Sequence, residues 1–236
     1  MTTIGLIGGM SWESTAVYYR LLNEGARARS GGLHSADILL HSLDFAPIAE
    51  MQANGEWDRA GDVLAHSAAR LERGGADCVL LCTNTMHKLA DRITQATALP
   101  FLHLADVTAR AVLAARSRRP LLLATRFTME QSFYRDRLAK AGVETVVPDP
   151  AERDDVHRII YEELCRGVVS PLSKERYRAV VARAAREEGA DGVILGCTEI
   201  GLLLSQADFE IPVFDTTGLH VAAALDFVAA HRSAAA

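Results

Sequence analysis

No stretch of about 18 consecutive apolar residues occurs in this 236-residue chain, so no segment is expected to span a membrane. The first residues, Met1-Thr-Thr-Ile-Gly-Leu-Ile-Gly-Gly, lack a basic n-region and read as a first strand rather than a signal peptide. A cytoplasmic location is therefore expected. There is no basic tract; the net charge is −5, with both signs mixed along the chain, which argues against nucleic acid as a partner. The four cysteines, Cys78, Cys82, Cys165 and Cys197, form no C-x-x-C pair and are expected to stay reduced. The eight histidines show no H-x-x-x-H spacing and no clustering with cysteine, so no metal site is expected.

What the chain does have is a hydrophobic fraction of 49%, enough for a packed core. Short β-branched runs alternate with longer amphipathic stretches. Strands are predicted at 4–8, 37–43, 78–82, 101–103, 121–125, 143–147, 192–196 and 211–214. Helices are predicted near 13–29, 57–73, 86–98, 106–116, 129–141, 154–165, 174–188 and 218–231. Gly31-Gly32, Gly74-Gly75, Gly142 and Gly189 stand where helices should stop, and Thr128 with Gln131 has the spacing of a capping box. Apolar strands alternating with helices predict an α/β fold whose sheets are mostly parallel and covered on both faces.

An internal repeat divides the chain. Gly75-Ala-Asp-Cys-Val-Leu-Leu-Cys-Thr-Asn-Thr85 matches Gly189-Ala-Asp-Gly-Val-Ile-Leu-Gly-Cys-Thr-Glu199 without a gap. Leu99-Pro-Phe-Leu-His-Leu follows the first copy and Ile211-Pro-Val-Phe-Asp-Thr the second, each leading into an alanine-rich helix. A period of about 110 residues is far too long for a solenoid and fits two copies of one lobe. The expected architecture is two pseudo-symmetric lobes, residues 1–103 plus 210–236 and residues 104–209, with a site in the cleft between them. Ligands of open parallel sheets bind beyond the carboxyl ends of the strands. There the repeat aligns Thr83 with Cys197, Asn84 with Thr198, Thr85 with Glu199, and Cys82 with Gly196.

Duplicated elements facing one pocket offer an acid and a base on opposite faces of a carbon centre. A thiol, ordinarily near pKa about 8.5, becomes a usable base where helix N-termini or cations lower that value, and Cys197 is expected to end a strand just before a helix. Read alone it would be a small buried hydrophobe; the mirrored segments make it a candidate acid or base. Asn84, Thr85 and Thr198 with nearby amides are expected to hold a carboxylate, or to cap helices, or both. The Gly8-Gly9-Met10-Ser11 turn either lets a ligand approach or simply turns the chain with Ser11 as a cap. His87, Glu199 and Asp215 follow the same strand ends; Asp215 is read as a cap, and His87 as either packed or functional. Cys78 and Cys165 are read as structural.

Five segments together resemble the cofactor-independent aspartate/glutamate racemases: Ile4-Gly-Leu-Ile-Gly-Gly-Met-Ser-Trp-Glu-Ser14, Gly32-Leu-His-Ser-Ala36, Leu81-Cys-Thr-Asn-Thr-Met-His-Lys88, Thr125-Arg-Phe-Thr-Met-Glu-Gln131 and Gly196-Cys-Thr-Glu-Ile-Gly201. The resemblance covers nearly the whole chain and is strongest to a bacterial branch favouring L-antipodes. It implies a two-lobed fold, a homodimer, no pyridoxal phosphate or other cofactor, and a small acidic amino acid as substrate. It implies Thr83 and Cys197 as the catalytic pair, with Thr83 standing where the family usually has a cysteine before Asn-Thr. Cys82, one residue back, should point to the other face of its strand. The resemblance further implies substrate contacts from Met10, Gln52, Asn84, Thr85, Thr125, Thr128, Arg166, Thr198 and Glu199. Gln52 stands in a region where many relatives place a basic residue, and Arg166 is either a second basic position or a solvated helix end. A single-cysteine decarboxylase or isomerase of the same architecture, and a non-catalytic acidic amino-acid-binding protein, are the rival expectations.

Overall fold

A computed structural model describes residues 2–234. The chain divides into two compact units, residues 2–103 with 220–234 and residues 104–219.

The first unit runs β1 (Ile4–Gly8), α1 (Trp12–Ser30), β2 (Ile38–Ser42), α2 (Phe45–Ala53), α3 (Trp57–Arg73) and β3 (Cys78–Leu81). A five-residue 3-10 turn (Thr85–Leu89) and α4 (Ala90–Ala96) follow. Its sheet is parallel in the order β2-β1-β3, and Phe101 adds a single parallel bridge to Val79. β1 and β3 are buried at every residue because helices cover both faces of the sheet. The two faces separate by strand alternation. Ile7, Val79 and Leu81 pack with Leu64, Ala68 and Leu71 of α3, whereas Ile4, Leu6, Cys78, Leu80 and Cys82 pack with Tyr18 and Leu22 of α1.

The second unit runs α5 (Leu104–Ala114), β4 (Leu121–Ala124), α6 (Arg126–Glu130), α7 (Ser132–Lys140), α8 (Pro150–Glu162), a 3-10 turn (Leu164–Arg166) and α9 (Pro171–Glu188). It ends with β5 (Val193–Gly196), α10 (Ile200–Leu203), a 3-10 turn (Gln206–Asp208), β6 (Val213–Asp215) and the start of α11 (Thr216–Ala234). Its parallel sheet is ordered β4-β5-β6, with a bridge from Leu121 to Val146. With the bridges included, both units repeat one topology: second strand, first strand, third strand, fourth strand. In the first unit the fourth strand shrinks to a bridge at Phe101, next to Pro100, which has no N–H to give a ladder; in the second the strand predicted at 143–147 shrinks to Val146.

The expected lobe boundary needs one correction. Residues 210–219 do not return to the first lobe, because Val213, Phe214 and Asp215 pair with β5. The return begins at His220, where Val221, Ala224 and Leu225 of α11 join the core beside α1. Conversely, α5 follows the Phe101 bridge but places Leu104, Ala105, Ala109 and Val112 in the second core. Each repeat thus ends in a helix packed within the other unit.

The Thr128–Gln131 capping box does not form either. Thr125 holds the N-cap position of α6 without a side-chain cap bond, Thr128 lies inside that helix, and Gln131 separates α6 from α7, splitting the single helix predicted over 129–141. A capping box does stand at Asp149 and Glu152, whose paired side chain–backbone bonds (2.9 and 3.1 Å) start α8. Such a cap contributes about 1 kcal/mol.

Candidate active site

Both copies of the repeated segment stand at carboxyl ends of parallel strands. After β3 come Cys82, Thr83, Asn84 and Thr85; after β5 come Cys197, Thr198 and Glu199. The register sets their neighbours. Ile7 pairs with Leu81, so the turn after β1 lies beside Thr83 in the first unit. Ala124 pairs with Gly196, which brings Thr125 beside Cys197 in the second.

In the first unit, Gly9 adopts φ +90°, and a Cβ there would collide with the backbone of Leu43. Ser11 caps α1, its Oγ accepting from Ser14 N at 3.3 Å, so the glycine turn serves the strand-to-helix connection. Met10 is buried in the same core as Ile48 and Met86. Gln52, also buried, donates from Nε2 to Met86 Sδ at 2.9 Å, on α2, a helix that sequence reasoning did not predict. Asn84 and Thr85 are buried at the start of the 3-10 turn. Thr83 is partly exposed. Its carbonyl accepts from His87 Nδ1 at 2.7 Å, and its hydroxyl makes no hydrogen bond among the described residues. His87 packs against His103 (ring centroids 4.7 Å apart) and Phe101 (5.6 Å). Its bond to a carbonyl places a proton on Nδ1. Cys82 is fully buried on the α1 face of the sheet, and burial raises its thiol far above the ordinary range.

In the second unit, Cys197 is partly buried, and its Sγ–H donates to Glu199 Oε2 at 2.8 Å. The expectation of a lowered thiol pKa is overturned. Burial first, then the Glu199 charge and its hydrogen bond, raise Cys197 well above a free thiol, outweighing the Glu199 backbone N–H. The helical segment that follows is α10, only four residues long, so it offers little of the dipole that a longer helix would supply. Thr198 is buried, and its Oγ1 accepts from Thr217 Oγ1 at 3.2 Å. Thr125 and Thr128 are buried with hydroxyls 3.4 Å apart. Asp215 accepts from Thr217 N at 3.0 Å, matching its reading as a cap, and burial raises its carboxyl.

Arg166 is exposed on the Leu164–Arg166 turn, which packs against α10 and ends at Gly167 with φ +73°. That turn brings Cys165, read from sequence as structural, into the electrostatic neighbourhood of Cys197. Tyr161 and Tyr177 border the same group. Burial first, and then the negative forms of Cys197, Cys165 and Glu199, together push Tyr161 up to about 12; burial likewise raises Tyr177 well above an ordinary phenol. These residues were missed because they come from α8 and α9 with no spacing that ties them to Cys197. Among the described residues there is no cluster able to hold a metal ion, and no helix is long and apolar enough to cross a membrane.

The family model for Asp/Glu/hydantoin racemases matches residues 7–224, spanning both repeats and both strand ends. This chain belongs to the Asp/Glu/hydantoin racemase family. A provisionally assigned Asp/Glu racemase from Yersinia pestis is 50% identical, with a TM-score of 0.90 over 96% of this chain and 99% of that one. An aspartate racemase homologue from Pyrococcus horikoshii OT3 is 33% identical, with a TM-score of 0.87 over 97% and 100%. Among curated proteins, the broad specificity amino-acid racemase RacX of Bacillus subtilis (strain 168) is 22% identical over 219 residues, 91% of this chain and 92% of that protein. The two parallel-sheet units with their flanking helices match the racemase fold.

Proposed function

We propose that the chain is a racemase of aspartate, glutamate or both that works without pyridoxal phosphate, drawing its α-proton chemistry from Cys197 and favouring the L-antipode. The observation that carries this reading is the Sγ–H···Oε2 bond between Cys197 and Glu199 at 2.8 Å. A thiol held well above its ordinary pKa is protonated at neutral pH, and it reaches the basic form only when a neighbour accepts its proton. Glu199 stands within reach to do so. Once the proton has moved to Glu199, the thiolate removes the α-proton from one face of the L-substrate. The resulting carbanion is reprotonated either on that face by Cys197, giving exchange with retention, or on the opposite face from Thr83, giving the D-product. Thr83 is a hydroxyl with no thiolate-like form near neutral pH, and its delivery of a proton depends on water or on a neighbouring group. Turnover should therefore be faster from the L side; the equilibrium between enantiomers stays at unity, so the difference is kinetic.

Substrate carboxylates would be held by Asn84, Thr85, Thr125, Thr128 and Thr198, all buried hydroxyl or amide groups at the two strand ends. Gln52 beside Met86 suits either acidic side-chain length, and Arg166 would meet the distal carboxylate at the rim. One feature favours a second reading, a decarboxylase or isomerase of the same fold that needs only one thiol: the Thr83 hydroxyl has no base bonded to it.

Proton NMR in deuterated buffer separates the readings. L-Aspartate and L-glutamate should lose their α-proton signal with the wild-type protein, and Cys197→Ser should slow that loss at least ~100-fold. Chiral analysis of the same samples should show the D-antipode accumulating. Retained α-protons in all substrates with a folded protein would move the assignment to the single-thiol or binding-protein reading.

A further inference from the structure

The first unit holds a recess at the end of its sheet opposite to the Gly9 turn. Its volume is about 270 Å³, and it opens at the amino end of β1, between the last turn of α1 and the middle of α11. β1 separates it from the Gly9 turn by its own length, about 13 Å at a strand's rise per residue. α1, capped by Ser11 at one end and contributing Arg29 at the other, spans about 28 Å between them.

One wall is apolar: Ile4 from β1, Ala26 from α1, and Leu225 and Val228 from α11. Gly25 lets α11 come this close, since a Cβ there would collide with Leu225. The mouth is polar and carries both signs. Arg29 donates from Nη2 to Asp226 Oδ1 at 2.8 Å, and its five-donor guanidinium retains N–H groups for an anion. His34 lines the same recess, with no ring hydrogen bond among the described residues. Asp37 lines the recess as well; it accepts from Thr3 Oγ1 at 3.1 Å through Oδ2, and the carboxylate keeps acceptor capacity for a cation.

From these groups we infer a binding site for a small zwitterionic amino acid with an apolar side chain. The α-carboxylate meets Arg29 and His34, the α-ammonium meets Asp37, and the aliphatic side chain lies on Ile4, Ala26, Leu225 and Val228. A wall of apolar groups with a few convergent polar ones is how small-molecule sites are built. A purely anionic ligand would face Asp37, and a purely cationic one would face Arg29, so the mixed mouth selects a dipolar ion. The site does not depend on the racemase reading, since none of its residues belongs to the strand-end chemistry.

Isothermal titration with L-leucine, L-valine and L-methionine tests it. Leucine should bind saturably with a dissociation constant of about 1 mM or tighter. Isocaproate, which lacks the ammonium, and isoamylamine, which lacks the carboxylate, should each bind at least ~10-fold more weakly. Val228→Trp fills the recess and Arg29→Ala removes the carboxylate anchor; each should weaken leucine at least tenfold while thermal unfolding and α-proton exchange of aspartate stay as in the wild type. Should Val228→Trp not fold, Arg29→Ala carries the test with His34→Ala. No saturable binding of any of the three amino acids overturns the inference, as does unchanged leucine affinity in Arg29→Ala.

Discussion

The two strand-end segments are copies of one another in sequence and topology, yet they carry different chemistry. After β5, a thiol is bonded to a carboxylate two residues on; after β3, the same two positions hold Thr83 and Thr85. Cys197 is tied to an acceptor through its side chain, whereas Thr83 is tied through its backbone carbonyl to His87. The difference lies in a pair of residues rather than in one. A thiol raised in pKa by burial is a poor base by itself, and it is the carboxylate beside it that offers a place for the proton. The asymmetry between the lobes is thus a Cys–Glu pair set against a Thr–Thr pair.

Breaking the better-equipped half should have the largest effect. Glu199→Gln keeps the hydrogen-bonding shape but removes the charge and the proton acceptor. Exchange of the L-substrate α-proton should fall about 100-fold at neutral pH. The same substitution removes the Glu199 charge that helps raise the Cys197 thiol, so its pKa should drop, and the basic rise of kcat/KM should shift to lower pH than in the wild type. A profile that keeps its midpoint would show that Glu199 does not act through Cys197.

Equipping the poorer half should have a smaller effect. Thr83→Cys installs a thiol without a partner, and α-proton exchange from D-aspartate should rise about tenfold. Adding Thr85→Glu supplies the missing acceptor, and the double variant should gain about tenfold more, because the two residues act as a unit. If Thr83→Cys alone equals the double variant, the pair is not the relevant unit. Exchange from the L side should stay within a few-fold of wild type in both.

How far this comparison could be read from sequence follows from what each feature depends on. The gap-free repeat carries strand register with it, so the alignment of Thr83 with Cys197 and the placement of Cys82 on the other face of its strand followed from the repeat and period-two alternation. The parallel topology followed from the apolar strands. The Cys197–Glu199 bond did not, because it depends on side-chain rotamers at residues two apart, and the expected dipole effect on the thiol failed because α10 is only one turn long. The helix Phe45–Ala53 went unpredicted, with Pro47 in its first turn interrupting the local pattern. Helices α8 and α9 begin at Pro150 and Pro171, earlier than predicted, with proline at the first helical position, where its missing N–H costs nothing. The final helix was placed correctly, but the unit it packs in changes at His220, a property of tertiary contacts that no local pattern encodes.

That residue offers the smallest and most selective test of the comparison. His220 is fully buried; its Nε2 donates to Leu102 O at 2.6 Å, and its Nδ1 accepts from Tyr18 Oη at 2.9 Å, so both nitrogens are satisfied only in the neutral ring. Burial, opposed by the Leu102 bond, lowers its pKa from 6.5 to about 4. The ring lies 6.0 Å from that of His87, the residue that holds the Thr83 carbonyl. With the folded pKa below the unfolded one, the unfolded chain binds more protons through this window. The stabilisation is fully present above pH 6.5 and is lost as pH falls toward 4. Between pH 6.5 and 5.5 the loss should be about 1 kcal/mol from this group. Urea unfolding at the two pH values should show that decrement in the wild type and a shallower one in His220→Gln, which cannot titrate there. Hydrogen exchange of the Asn84–His87 amides should quicken over the same interval before that of the β5 amides, if acid loosens the Thr83 half first. Equal pH slopes in the two proteins would mean that His220 is not the group that titrates.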